Sequence, residues 1–146
     1  MSESPSPQAV SVTRNLVYAV AERFKPAHLE TTVRTLDAVA QCPLVPGMLE
    51  QAMGTSDLTM NEDCLTLNIF APHGAQGLPV LVWIHGGAFT NGTAHASWYD
   101  GSNLAARGCV VVAINYRLGA FGFAGRSDLG LQDQITALTY VQHHVA

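Results

Sequence analysis

The sequence predicts an α/β fold, and three observations predict it. Only 12% of the 146 residues are charged against 48% apolar, about half the charged quarter of an ordinary domain, which suits strands covered on both faces. Two apolar runs, "LPVLVWI" (78–84) and "CVVVAINY" (109–116), lack the alternation of a half-exposed strand. A short helical stretch, "SNLAARG" (102–108), lies between them. Strand, helix and strand thus fit within about 37 residues as a parallel, right-handed βαβ crossover. A chain of this length is one ordinary domain, able to bury roughly 68–70% of its unfolded surface.

Taken in order, residues 1–13, "MSESPSPQAVSVT", are polar and rich in Pro and Ser and read as a flexible tail; residues 14–146 form the folded unit. The start has no basic region and no apolar h-region, so no secretory signal is expected and the cytoplasm is the default. Residues 14–57 carry turn signals at "KPAH" and "CPLVPG" but no assignable periodicity. In "NEDCLTLNIFAP" (61–72), Leu65, Leu67 and Ile69 share one face and Thr66 and Asn68 the other, so this is a strand closed by Pro72 and the "HGAQG" turn. "LPVLVWI" follows as a fully buried strand. In the short helix Ser102 is the expected N-cap, and Gly108 lies just past the end. "DLGLQDQITALTYVQHHVA" is an amphipathic helix whose apolar stripe is expected at Leu131, Ile135, Leu138 and Val141/Val145. The chain stops on that helix with no following strand, as a truncated fold would.

Charge and cysteines exclude several classes. A formal net charge of -4 leaves no basic footprint for nucleic acid, and neither apolar run has the length of a membrane span. There is no CxxC and no Cys/His cluster, so no metal site is expected. Cys109 opens an apolar run and is expected to be a buried thiol. Cys42 and Cys64 can pair, which contributes about 3 kcal/mol in an oxidising compartment; in a cytoplasmic protein they are expected to be reduced.

The chemistry-bearing stretch is "VLVWIHGGAFTNG" (80–92). A turn after a buried parallel strand is where an open α/β sheet places ligand chemistry, and glycines there bare their N–H groups. A phosphate cradle needs GxGxxG or a P-loop ending in GK[ST], and "HGGAFTNG" is neither. A glycine turn for close packing is the second alternative. An oxyanion hole, with N–H donors aimed at negative charge on an acyl carbonyl, is the third. The HGG-type turn of α/β-hydrolases is such a device, and local chemistry favours this reading. His85 is expected to be a packed neighbour of the turn rather than a base, since the base follows the Ser and the acid in that fold. His143 and His144 are adjacent on the last helix and read as a solvated pair.

Together these motifs resemble the type-B carboxylesterases, the family of the cholinesterases and bacterial para-nitrobenzyl esterases. "EDCLTLNIFAP" (62–72) is similar to that family's EDCL signature. "PVLVWIHGGAF" (79–89), "YDGSNLAARGCVVVAINYRLGAFGF" (99–123) and "LGLQDQITALTYVQ" (129–142) follow in family order. "YAVAERFKPA" (18–27) is similar to the stretch around Arg-Phe-x-Pro, and residues 28–57 diverge. The resemblance implies an α/β-hydrolase fold in part only: N-terminal strands and the central parallel βαβ. It implies oxyanion-hole N–H donors at Gly87 and Ala88, with Gly86 shaping the turn. It places Phe89 and Trp98 on a substrate gorge, although core packing accounts for either equally well. It implies buried ion pairs Arg23–Glu62 and Arg117–Asp133, and Cys42–Cys64 resembles a disulfide of secreted members.

No GxSxG occurs in the sequence: its serines include Ser56 in "GTSDL", Ser97 in "HASWY" and Ser102 in "DGSNL". The expectation is therefore the N-terminal portion of a serine esterase, truncated before the nucleophile elbow and inactive alone. It would act on a small carboxylic ester without a cofactor, its partner a complementary C-terminal fragment. The alternatives are a non-catalytic cholinesterase-like binding module and, more remotely, a nucleotide-binding α/β domain without its phosphate motif.

Overall fold

The computed structural model describes residues 8–124 and 128–146. Strand β1 (Val10–Val17) is followed by two short strands, β2 (Ala19–Val20) and β3 (His28–Leu29), that pair antiparallel with each other. β4 (Ala40–Gln41) and β5 (Thr59–Met60) form a small parallel ladder around helix α1 (Met48–Ala52). The main sheet is completed by β6 (Thr66–Pro72), β7 (Val80–Ile84) and β8 (Val110–Ile114), in the order β1-β6-β8-β7. Helix α2 (Ser102–Ala105) crosses from β7 to β8; α3 (Gly119–Phe123) and α4 (Leu129–His144) follow. β1 and β8 both pair antiparallel with β6, whereas β7 and β8 run parallel in the register Val80↔Val110 to Ile84↔Ile114. The sheet is therefore mixed, with the predicted parallel unit β8–β7 at one side of it.

β8 is buried along its whole length because it has a strand on each side and helices on both faces. Val110, Val112 and Ile114 join Leu65, Leu67, Ala137, Tyr140 and Val141 in the main core. Val111 turns the other way, onto Phe70 and Ala105 of α2. Each such aliphatic side chain contributes roughly 1.5–3 kcal/mol by leaving water. β6 keeps the expected faces, yet its polar face is buried too: Thr66 and Asn68 are withdrawn from water and spend their polar groups on hydrogen bonds described below.

Five expectations are corrected. Residues 10–13, assigned to a tail, belong to β1 and pair with residues 69–72; residues 1–7 lie outside the described residues. A bulge between Thr13 and Leu16 is formed around Asn15, whose φ is +56°, a backbone state that Asn tolerates. β7 is not buried on both faces: it is an edge strand, with Leu81, Trp83 and Ile84 about two-fifths exposed, because no strand or helix among the described residues covers that side. The N-cap of α2 is Gly101 rather than Ser102, and the Asp100 carboxylate accepts the Ser102 N–H at 2.9 Å. Cys109 is only partly buried. On α4, Leu131, Ile135 and Leu138 are exposed, and the buried face carries Asp133, Ala137, Tyr140 and Val141. Asp133 wins that position because its partner waits in the core.

Candidate active site

The turn that leaves β7 is built from backbone in an uncommon state. Gly87, Ala88 and Phe89 follow one another with φ of +126°, +52° and +62°. For the two non-glycine residues such a state costs about 1–3 kcal/mol each, so neighbouring contacts must hold it. Gly87 O accepts from the N–H groups of Thr90 (3.0 Å) and Asn91 (3.2 Å), and the Thr90 hydroxyl lies 3.0 Å from it. Phe89 O accepts from Gly119 N–H at 2.7 Å, tying the turn to the start of α3. Gly87 must be glycine on two counts: its φ, and a Cβ that would sit 2.1 Å from Asn91 O.

Once these carbonyls are satisfied, the donors are left. Neither the Gly87 nor the Ala88 N–H has an acceptor among the described residues. Two adjacent free donors at the C-terminal end of a parallel strand can bind an anion or an oxygen that gains negative charge.

The loop beyond the turn is moored from three directions. Asn115, fully buried at the end of β8, accepts from Ala94 N–H at 2.8 Å and donates to Thr66 Oγ1 (3.2 Å) and His95 Nε2 (2.9 Å). Asn68 donates to Ala94 O at 3.0 Å and accepts from Asn15 N–H at 3.1 Å. The third mooring comes from α1: buried Glu50 accepts from Gly47 N–H at 2.8 Å and Asn91 Nδ2 at 3.4 Å. Burial holds His95 neutral, with its pKa pushed down to about 4. Sequence reasoning missed Glu50, Asn68, Asn91, His95 and Asn115, because each works through a partner 20 or more positions away.

His85 is buried beneath the turn, as a packed neighbour should be. Its ring stacks 4.6 Å from the Tyr116 ring, and Tyr116 donates its hydroxyl proton to the His85 carbonyl at 2.9 Å. Phe89 packs edge-on to Tyr116 and 4.8 Å from Phe123, with 46% of its surface exposed. Trp98 is elsewhere: it lines a groove with Leu81, Trp83, Tyr99 and Leu104 on the α2 side of the sheet. The structure therefore does not bring Phe89 and Trp98 to one cavity. An apolar hollow of about 250 Å³, walled by Pro43, Leu44, Val45, Leu118 and Phe121, opens beside the turn at Thr90 instead.

The two ion pairs differ in kind. Arg117 and Asp133 are buried, and Arg117 also donates to Lys25 O at 2.7 Å, so one guanidinium joins the N-terminal segment, the end of β8 and α4. Arg23 and Glu62 also pair, but at the surface, with 61% and 36% of their side chains exposed. The expectation of a buried pair is corrected there: the ion pair lies on the surface, with Arg23 resting 5.6 Å from the Phe121 ring centroid. Cys42 and Cys64 are bonded to each other, against the expectation of reduced thiols. Their bond closes the loop that carries Glu50. Among the described residues no three His, Cys, Asp or Glu side chains converge as a metal site, and no helix is long and apolar enough to cross a membrane.

A mixed sheet with a parallel crossover, ending in a glycine turn of free donors, defines part of an α/β-hydrolase. The model of the carboxylesterase family matches residues 16–146, and the chain belongs to that family. Para-nitrobenzyl esterase of Bacillus subtilis (strain 168) is 44% identical over 138 residues, 85% of this chain and 28% of that protein. The probable N-octanoylanthranilate hydrolase AqdA2 of Rhodococcus erythropolis is 40% identical over 93% of this chain and 33% of its own length. A solved thermophilic PNB esterase superposes with a TM-score of 0.81 at 40% identity, over 94% of this chain and 32% of that one. The chain thus spans about a third of the length of these two relatives.

Proposed function

We propose that this chain is the oxyanion-hole portion of a serine carboxylic ester hydrolase. The observation that carries the reading is the pair of N–H groups at Gly87 and Ala88, without an acceptor among the described residues and held by a strained turn whose Gly87 and Phe89 carbonyls are engaged. In the reaction, a serine attacks the ester carbonyl and its oxygen takes on negative charge. Donors already in place stabilise that charge without reorganising, each worth about 2.7–4 kcal/mol of barrier. The apolar hollow beside Thr90 suits the uncharged side of an ester. No cofactor enters this chemistry.

The 146 residues hold no GxSxG, so in this reading the nucleophile, the acid and the base lie outside these residues. The chain by itself is inactive. The open edge of β7 and the exposed Leu131, Ile135 and Leu138 of α4 are the surfaces that the rest of such a hydrolase would cover. The Cys42–Cys64 bond favours an oxidising compartment over the cytoplasm.

The test is a chimera in which residues 16–146 replace the equivalent third of the B. subtilis para-nitrobenzyl esterase. It should hydrolyse p-nitrophenyl butyrate, and Gly87→Val in it should lower kcat by about 10²–10³ with KM little changed. The isolated chain should show no turnover above a heat-treated control. Full kcat in the Gly87→Val chimera overturns the reading.

A further inference from the structure

The buried histidine under the turn does more than fill space. His85 Nδ1 lies 3.1 Å from Gly86 O. A carbonyl oxygen only accepts, so the proton of that contact sits on Nδ1, and burial, which lowers the His85 pKa, favours the neutral ring. The Gly86–Gly87 peptide is trans and planar, so its N–H points opposite to its C=O. Holding Gly86 O toward the imidazole therefore aims the Gly87 N–H away from it.

Two further contacts make the arrangement a clamp. Tyr116 fixes His85 from the other side by ring stacking at 4.6 Å and by its hydroxyl on His85 O. Gly92 closes over the contact itself: a Cβ there would fall 2.3 Å from Gly86 O and 2.4 Å from His85 Nδ1, and its φ is +102°. His85 Nε2 is buried with no partner among the described residues. An apolar residue of the same size would avoid that orphaned acceptor, so shape alone does not account for an imidazole here.

We infer that His85 is a positioning residue for the oxyanion hole, which sets the direction of the Gly87 N–H by donating its Nδ1 proton to Gly86 O under the brace of Tyr116 and Gly92. The role rests on the donor reading above; the geometry does not, and the test reads the geometry alone.

That test is NMR on the isotope-labelled full chain, with a cooperative melt as the check on folding. Imidazole nitrogen shifts should report Nδ1 protonated and Nε2 bare, unchanged from pH 6 to 8. His85→Phe keeps the stack on Tyr116 but removes the donor. It should shift the Gly86 carbonyl carbon and drop the Gly87 and Ala88 N–H order parameters from roughly 0.85 to below about 0.6. His85→Asn, whose amide nitrogen reaches where Nδ1 sits, should restore both. Nε2 as the protonated nitrogen, or a folded His85→Phe chain with unchanged Gly86 carbonyl shift and order, overturns the inference. In that case the donor role of Gly87 and Ala88 would still stand on the chimera; a failed chimera with the NMR result intact would remove the catalytic role and leave the clamp.

Discussion

Arg117 meets Asp133 through two side-chain hydrogen bonds, Nε to Oδ2 at 2.8 Å and Nη2 to Oδ1 at 2.7 Å, with 5% and 0% of the two side chains exposed. The Arg117 backbone N–H adds a third bond to Oδ2 at 3.1 Å. Removing one member leaves the other charged, dry and alone. Arg117→Ala or Asp133→Ala should therefore lose about 3–5 kcal/mol in urea unfolding, and the double change Arg117→Met with Asp133→Leu should lose less than either. Arg23→Ala, at the exposed pair, should leave the midpoint nearly unmoved. Equal losses at Arg117 and Arg23 would contradict this ranking.

His95 makes stability depend on pH. Desolvation by burial lowers its pKa to about 4 from the ordinary 6.5, and its Nε2 accepts from Asn115, a bond that protonation would break. The unfolded chain takes up a proton below pH 6.5 that the folded chain refuses until about pH 4. Stability is thus full above pH 6.5, falls progressively toward pH 4 and stays low below it. The loss should be on the order of 2 kcal/mol after allowing for partial exposure. Urea midpoints at pH 7.5 and 4.5 measure it, and His95→Gln should flatten the difference. His85, lowered by burial as well, acts in the same direction.

Of the three cysteines, Cys42 and Cys64 are bonded and Cys109 is free. Thiol titration of the unreduced, denatured chain should find one reactive group, and after reduction all three. Cys42→Ala with Cys64→Ala should cost about 3 kcal/mol, the contribution of a loop of this size. Two or more reactive thiols before reduction would show the bond absent.

The edge of β7, unpaired among the described residues, exposes Leu81, Trp83 and Ile84, and an unpaired apolar edge is a surface that templates association. At micromolar concentrations the isolated chain should sediment partly as oligomers. Leu81→Lys, which places a charge among Trp83, Trp98 and Tyr99 in the groove along that strand, should shift it toward monomer. A parent chain that is monomeric throughout would remove the edge as a binding surface.

What the sequence revealed depended on the range of the interaction. The run Val110–Ile114 and the run Val80–Ile84 look alike in hydropathy, yet the first is buried throughout and the second is partly exposed. Apolar content reports that a strand needs covering, not that the cover is present. The α4 periodicity identified the helix but named the wrong inner face, because Asp133 is drawn inward by Arg117, a partner no local pattern encodes. Gly86, Gly87 and Ala88 were legible as a local motif. The moorings through Asn115, Asn68, Glu50 and Tyr116 were not, since each joins segments brought together only by the fold. Alternation in residues 65–69 gave β6 its faces, but polar Thr66 and Asn68 hid that both are buried.

Among the described residues β7 takes its ladder from β8 alone, and the Gly87 and Ala88 donors hang from its C-terminal end. A strand braced on one side opens more readily than one braced on both, and each opening scatters the donors. Whatever docks along the bare edge suppresses those openings and narrows the spread of donor positions. By linkage the effect runs both ways: an oxyanion seated on the turn must tighten the docking at the edge by the same free energy. Occupancy of the site would then be measurable from the seam, as a change in the affinity of whatever docks there, without following any reaction.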